Sequence, residues 1–201
     1  MKVITFDTET TGLLADPTAR IIEFGAVRHD LETGEMMSSY SAMCLPPVEL
    51  LDDSKFELAQ RISGITRDEI TSAKPYKEVV GDFMNWVGKD LVYAWNLPFD
   101  QRMLQRYFLD VMTEPGLTAS PFWQEQARKW MEQIRWGGCW QHLYAYMHID
   151  RAGKWDDGNL KTISMRRAMQ YEGMTGEQTH RALDDAHLAA HMGHLIYQKL
   201  K

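Results

Sequence analysis

Residues 2–12 read KVITFDTETTG, and the first six of them decide the fold. Lys2, Ile4 and Phe6 alternate with Val3, Thr5 and Asp7, and β-branched and aromatic residues dominate, so 2–7 reads as a strand. Gly12 and the Asp16-Pro17 pair mark a loop after it. Residues 20–29 (RIIEFGAVRH) then read as a second strand. The turn Glu32-Thr33-Gly34-Glu35 leads to a third over residues 36–44. Three consecutive strands on short turns predict an antiparallel meander.

Further along, the period changes from two to that of a helix. Val79, Val80, Phe83, Met84 and Val87 predict a helix over 76–87. Leu91 to Ala94 is a short apolar strand. Pro98 opens a helix that runs through Met103, Leu104, Tyr107 and Phe108. Ser120 caps another, with Pro121 at its first position and its end near Ile134. Asn159 is expected to cap a helix through Leu160, Ile163 and Met169. Ala182 to Leu200 is a long amphipathic helix. Strands first and helices later, with one strand between helices, predict a mixed α/β domain: a mixed central sheet with the meander, flanked by helices. Its length suits one domain over 1–201. Pro115, Gly116, Pro121, Gly137 and Gly138 suggest a local insertion over 113–138.

Composition narrows the function classes. With 44% hydrophobic and 25% charged residues, the chain is an ordinary globular sequence. No stretch is long and apolar enough to cross a bilayer, so no membrane partner is expected. The first residues meet an acid at Asp7 and lack the apolar core of a signal peptide. Cys44 and Cys139 match no metal-ligand spacing. Lone thiols without an export signal point to the cytoplasm. A net charge of −6 argues against a sequence-independent duplex coat but leaves a nuclease open, because a site for divalent cations is itself acidic.

Asp7 and Glu9 lie two apart, so both carboxylates project from one face of the first strand. No adjacent lysine or arginine partners them, and a metal ion would. Asp100, in Asn96-Leu97-Pro98-Phe99-Asp100, follows a short strand and opens a helix, where the dipole alone favours an acid. His180 precedes the last helix and Asp185 lies in its first turn. His187 and His191 are spaced for zinc at i, i+4, but no third ligand accompanies them, and they read as ordinary helix residues. Four carboxylates are hard ligands suited to Mg²⁺ or Mn²⁺. Two such ions about 4 Å apart clamp the attacking and leaving oxygens of a phosphoryl transfer. An imidazole within reach completes the set as a base.

These segments resemble the motifs of the DnaQ-like, or DEDDh, exonucleases. Asp7-Thr8-Glu9-Thr10-Thr11-Gly12 is similar to their first motif, Asn96 to Asp100 to their second, and His180-x-Ala182-x-x-Asp185-Ala186 to their third. The resemblance spans nearly the whole chain. It implies an RNase H-like fold and release of nucleoside 5′-monophosphates from a 3′ end of DNA or RNA, single-stranded or frayed. It also implies Asp7, Glu9, Asp100 and Asp185 as metal ligands for two ions and His180 as general base. Thr10, Thr11, Gly12 and Leu13 would line the terminal-nucleotide pocket. Ile65 would pack on the terminal sugar or base, and Asn96 and Phe99 would brace or stack. Arg181 stands where a tyrosine subgroup has Tyr, which favours the histidine subgroup. Ser63 and Trp95 stand where many members have His, which bears on substrate preference. Trp95 is either core or a stacking surface.

Trp123, Trp130, Trp136 and Trp140 cluster with Arg128, Lys129 and Arg135. Such a mixture can bind single strands or dock a protein. The near-helical spacing of Phe122, Trp123, Ala127, Trp130 and Ile134 favours a buried stripe. Two members of the family, RNase T and oligoribonuclease, are homodimers, and the resemblance leaves that state open. No tail for a polymerase follows the last helix, so a free-standing enzyme is expected. The alternatives are a catalytically silent binding module and a polymerase-bound proofreading subunit.

Overall fold

The computed structural model describes residues 1–113, 121–175 and 177–201. The meander is there: β1 (Lys2–Thr10), β2 (Ile21–Asp30) and β3 (Met36–Leu45). A 3₁₀ turn, Val48–Leu50, leads to α1 (Asp53–Ser63) and α2 (Arg67–Thr71). The two-residue β4 (Lys74–Pro75) precedes α3 (Tyr76–Val87), β5 (Leu91–Ala94) and α4 (Leu97–Thr113). Then come α5 (Pro121–Gln133), β6 (Arg135–Cys139), α6 (Trp140–Met147), α7 (Ile149–Ala152), α8 (Met165–Tyr171) and α9 (Ala182–Leu200). Among the described residues no helix is long and apolar enough to cross a membrane. The proposed cap Ser120, with Pro115 and Gly116, lies outside the described residues.

The strands form one mixed sheet in the order β4-β3-β2-β1-β5-β6. β1, β2 and β3 pair antiparallel, and β5 runs parallel to both β1 and β6. The strand period of two divides the core into two layers. Ile4 and Phe6 face Val80, Phe83 and Leu104 on one side, joined by Ala127 and Trp130 of α5. Val3 faces Trp140, Tyr144, Met165, Ala189 and Ile196 on the other. Each large side chain buried this way stabilises the fold by about 1.5–3 kcal/mol.

Where the structure differs from the sequence expectation, it does so for physical reasons. The helix expected to be capped by Asn159 starts later. Ser164 accepts from the Arg167 N–H and caps α8, while Lys154 and Leu160 form a small antiparallel bridge. Residues 121–138, inside the span read as an insertion, put Ala127, Trp130 and Ile134 in the core and add β6 to the sheet edge. The glycines of β6 serve close approach, not a loop: a Cβ on Gly137 would lie 2.2 Å from the Tyr93 ring. That ring stacks on Trp140 at 4.1 Å between centroids. Trp130 and Trp140 are buried and Trp136 packs against the core, while the Trp123 side chain lies outside what is described.

α9 lies across β2 and β1 because Gly25 admits it. A Cβ there would lie 2.0 Å from the Ala182 carbonyl carbon and 2.1 Å from the Leu183 nitrogen. Gly25 is also the cross-strand partner of Asp7. The first turn of α9 is thus pressed against the strand pair that carries the first acid.

Candidate active site

β5 ends at Ala94, opposite Phe6, one residue before Asp7. The chain then turns through Trp95 and Asn96 into α4, with the Phe99 N–H donating to the Asn96 carbonyl at 2.9 Å. This is the crevice beyond the carboxyl ends of parallel strands, where α/β sheets bind ligands. β1 continues past β5 and delivers Asp7 and Glu9 into it, α4 delivers Asp100, and α9 delivers Asp185. All four acids and His180 line one cleft of about 400 Å³.

Hydrogen bonds fix part of this set. Thr8 Oγ1 donates to Asp100 Oδ1 at 2.7 Å, tying β1 to α4. Gln178 Nε2 approaches Asp185 Oδ2 at 3.4 Å. Asp185 Oδ1 is buried and has no hydrogen-bond partner among the described residues. Asp184, the neighbouring acid, is exposed and accepts from Thr179 Oγ1 at 2.9 Å. His180 holds φ at 54°, in the left-handed region that is uncommon outside glycine. Single ligand atoms of Glu9, His180 and Asp185 all lie within 4.8 Å of one another.

The electrostatics are those of acids crowded together in a buried cleft. Burial, then Asp100, Glu9, Asp185 and Glu23, hold the Asp7 carboxyl well above the usual range. Burial, Asp185, Glu23 and Asp100 push Glu9 up to about 8, with Arg181 opposing. Burial raises Asp100 to about 7 against the Thr8 hydrogen bond. Burial raises Asp185 too, and nearby His180 opposes it. Like charges this close do not all ionise unless a cation joins them. The oxygen-rich donors and the unpartnered Asp185 oxygen fit a hard divalent cation.

The structure sorts the other expected site residues. Thr10, Gly12, Leu13, Trp95, Asn96 and Phe99 line the cleft. Leu13 is 73% exposed at its mouth. Thr11 is buried instead, its hydroxyl accepting from the Arg20 N–H at 2.9 Å. Ile65 is 0% exposed and packs with Ile22, Ala59 and Ile70, because Gly64 ends α1 and turns the chain inward. The apolar wall that faces the acids comes from Leu58 and Ile62 of α1. Met165 and Gln178, also in the cleft, carried no motif in the sequence.

Glu23 is a further residue that the motif reading passed over. It is buried near the start of β2 and accepts from Arg181 Nη2 at 2.6 Å and from the Ala182 N–H at 2.9 Å. It therefore caps α9 from another strand, since Arg181 at the N-cap offers no side-chain acceptor. The signal was a lone acid in an apolar strand, which demands a partner. Glu23→Ala should cost about 1–3 kcal/mol by orphaning these donors. Thermal melts in chelator should show a fall of roughly 3–10 °C.

Comparison with known proteins agrees with this geometry. The PolC-type DNA polymerase III of Clostridium perfringens is 25% identical over 203 residues, which cover 100% of this chain but 11% of that protein. The DNA polymerase III subunit epsilon of Treponema pallidum is 33% identical over 99 residues, 49% of this chain and 42% of that one. The chain thus spans less than half the length of these relatives. The crystal structure of E. coli Exonuclease I in complex with a dT13 oligonucleotide superposes with a TM-score of 0.69 and 19% identity, over 97% of this chain and 40% of that one. That likeness fixes an RNase H-like fold. Residues 4–128 match the RNase T model, described as exonuclease, and the chain belongs to that exonuclease family.

Proposed function

We propose that this chain is a cytoplasmic 3′→5′ exonuclease, one domain over 1–201, acting on single-stranded or frayed DNA or RNA and releasing nucleoside 5′-monophosphates. The observation that carries the reading is the convergence of Asp7, Glu9, Asp100 and Asp185 with His180 in one cleft. The four acids would hold a pair of Mg²⁺ or Mn²⁺ ions. Bound divalent cations supply positive charge at the phosphate and ease loss of a proton from water beside it. His180 sits on a loop at the mouth and takes the proton from the attacking water through an imidazole nitrogen. Water's oxygen joins phosphorus, and the bond to the 3′ oxygen of the preceding nucleotide breaks. Asp100 is oriented for its part by Thr8, and Asp185 by Gln178. Leu13, Leu58, Ile62 and Phe99 give the terminal base an apolar wall.

The reading is tested with labelled 3′-ended oligonucleotides, DNA and RNA, in Mn²⁺ or Mg²⁺ and in chelator. Mononucleotide release that stops in chelator supports it. Release that persists in chelator, or none on any end, removes it. A second reading, removal of misincorporated ends beside a replicative polymerase, is favoured by the polymerase names of the relatives. Pull-down with a replicative polymerase separates it from a free-standing enzyme.

The crowded acids also set a pH signature. With chelator present, the folded state keeps protons on Glu9 up to about pH 8 and on Asp100 up to about pH 7, while the unfolded chain releases them near pH 4. A raised carboxyl pKa stabilises at low pH, and that contribution is lost as pH rises from about 4 to 8. Divalent cations bind the ionised acids, so their stabilising effect should grow over the same window. At about a hundredfold over Kd they add about 2.7 kcal/mol, or roughly 5–10 °C. Thermal shift with Mn²⁺ should be larger at pH 8 than at pH 5, and equal shifts would contradict the arrangement.

A further inference from the structure

Residues 149–171 carry five basic side chains against three acidic ones, in a chain of net charge −6. Lys154, Arg166 and Arg167 form no ion pair among the described residues. The segment opens with a small, well-tied hairpin. Lys154 and Leu160 pair, the Trp155 N–H donates to the Asn159 carbonyl at 2.8 Å, and the Lys161 N–H to the Gly153 carbonyl at 3.1 Å. Asp157 accepts from the Asn159 N–H at 2.9 Å and from its Nδ2 at 2.8 Å. Gly158, at φ +84°, closes the turn. This frame holds the Trp155 indole out to solvent, 58% exposed, with Lys161 Nζ 4.8 Å from its ring centroid.

The hairpin is joined to the cleft by a short stretch. Lys161 lies four residues before Met165, no more than about 14 Å of chain, and Met165 lines the cleft. Arg166, the next residue, lines a second cavity of about 220 Å³. Gln178 and His180 line both cavities, so the two open onto a shared wall. An exposed indole and unpaired cations therefore extend outward from the side of the cleft that carries the histidine.

We propose that Trp155, Lys161 and Arg166 form a track for the single strand that lies 5′ of the scissile bond. This rests on the exonuclease reading and names the occupant of a surface continuous with that site. An unpaired base stacks on Trp155, and phosphates lie against Lys161 and Arg166. Stacking needs no particular base, because every base offers a π-face. The occupant is single-stranded because a duplex hides its base faces, and the acidic remainder of the chain repels a second strand.

The test uses the full chain with Asp7→Asn, which removes cleavage, and measures binding of 5′-fluorescein dodecathymidylate by anisotropy in Mn²⁺. Adding Trp155→Ala should weaken binding about tenfold, and Trp155→Phe should restore most of it. Adding Arg166→Ala should reduce the slope of log K against log salt by about 0.7. Melting temperatures should stay level across the set. No loss with Trp155→Ala, an equal loss with Trp155→Phe, or no binding by the parent overturns the track. A wild-type chain that cleaves nothing while these binding changes persist overturns the exonuclease reading and leaves the track standing.

Discussion

Asp7→Asn should abolish mononucleotide release, by at least about a thousandfold, while leaving the protein folded. A thousandfold is about 4 kcal/mol of transition-state stabilisation, within what a lost metal ligand removes. Asp7 sits where this loss cannot be made good. Its backbone is paired to Gly25 of β2, one residue beyond the last pair with β5, and its carboxyl is raised by every other acid of the site. Asparagine keeps the shape and removes a charge that the fold holds at a disadvantage. In chelator at pH 8, the variant should therefore melt no lower than the parent, and its stabilisation by Mn²⁺ should shrink sharply. Steady-state rates and thermal shift together decide this. A variant that keeps more than about a tenth of the parent's rate would remove Asp7 from the chemistry. A variant that melts far lower would make the residue structural.

The second large effect is expected at Gly25, which lines no part of the cleft but pairs with Asp7 across the strands. A methyl group there meets the backbone of Ala182 and Leu183 at 2.0 and 2.1 Å, and backbone atoms cannot rotate aside. Overpacking ordinarily costs about 1–3 kcal/mol, and lifting a helix start adds to that. Gly25→Ala should lower the melting temperature by roughly 10 °C. It should also reduce activity by about a hundredfold, since an ångström of displacement suffices for that. The helix that would be lifted carries Asp185, and His180 immediately precedes it. Gly81→Ala provides the contrast. There the added Cβ meets the Trp130 ring at an ordinary 3.5 Å inside α3, so the same substitution should be neutral or stabilise by up to about 1 kcal/mol. Denaturation curves of the two variants should move in opposite directions or differ greatly in size. Similar curves would mean that the contact at Gly25 yields easily.

The elements legible in the sequence are those whose hydrophobic pattern has a single job. α3, β5 and α9 each show one clean apolar face, and their bounds follow from it, whereas β1 was read over residues 2–7 and runs on to Thr10 through the site residues. α1 was illegible because its faces are inverted. It buries Lys55, Ala59 and Ser63, with Lys55 paired to Asp16, and turns Leu58 and Ile62 to the cleft, where Ile62 is 50% exposed. Its function as a cleft wall overrides the usual pattern. β6 was hidden by glycines that make room for an aromatic stack across strands, a relation no local reading contains. In the site, the acids were legible because their chemistry demands type and spacing together. Glu23 and Gln178 act through partners 158 and 7 residues away, and no motif encodes them.

The placement of β1 has a consequence for how the protein comes apart. Over residues 3–6 the strand is hydrogen-bonded on both edges, whereas His180 sits on an exposed stretch before α9 with its own backbone in a left-handed conformation. Amide exchange should accordingly be slowest along residues 3–6 and fast around the imidazole, because central strands open only with the whole domain. On the proposed role of His180, mild denaturant would then silence proton transfer first, leaving a protein that still gathers its acids and no longer turns over.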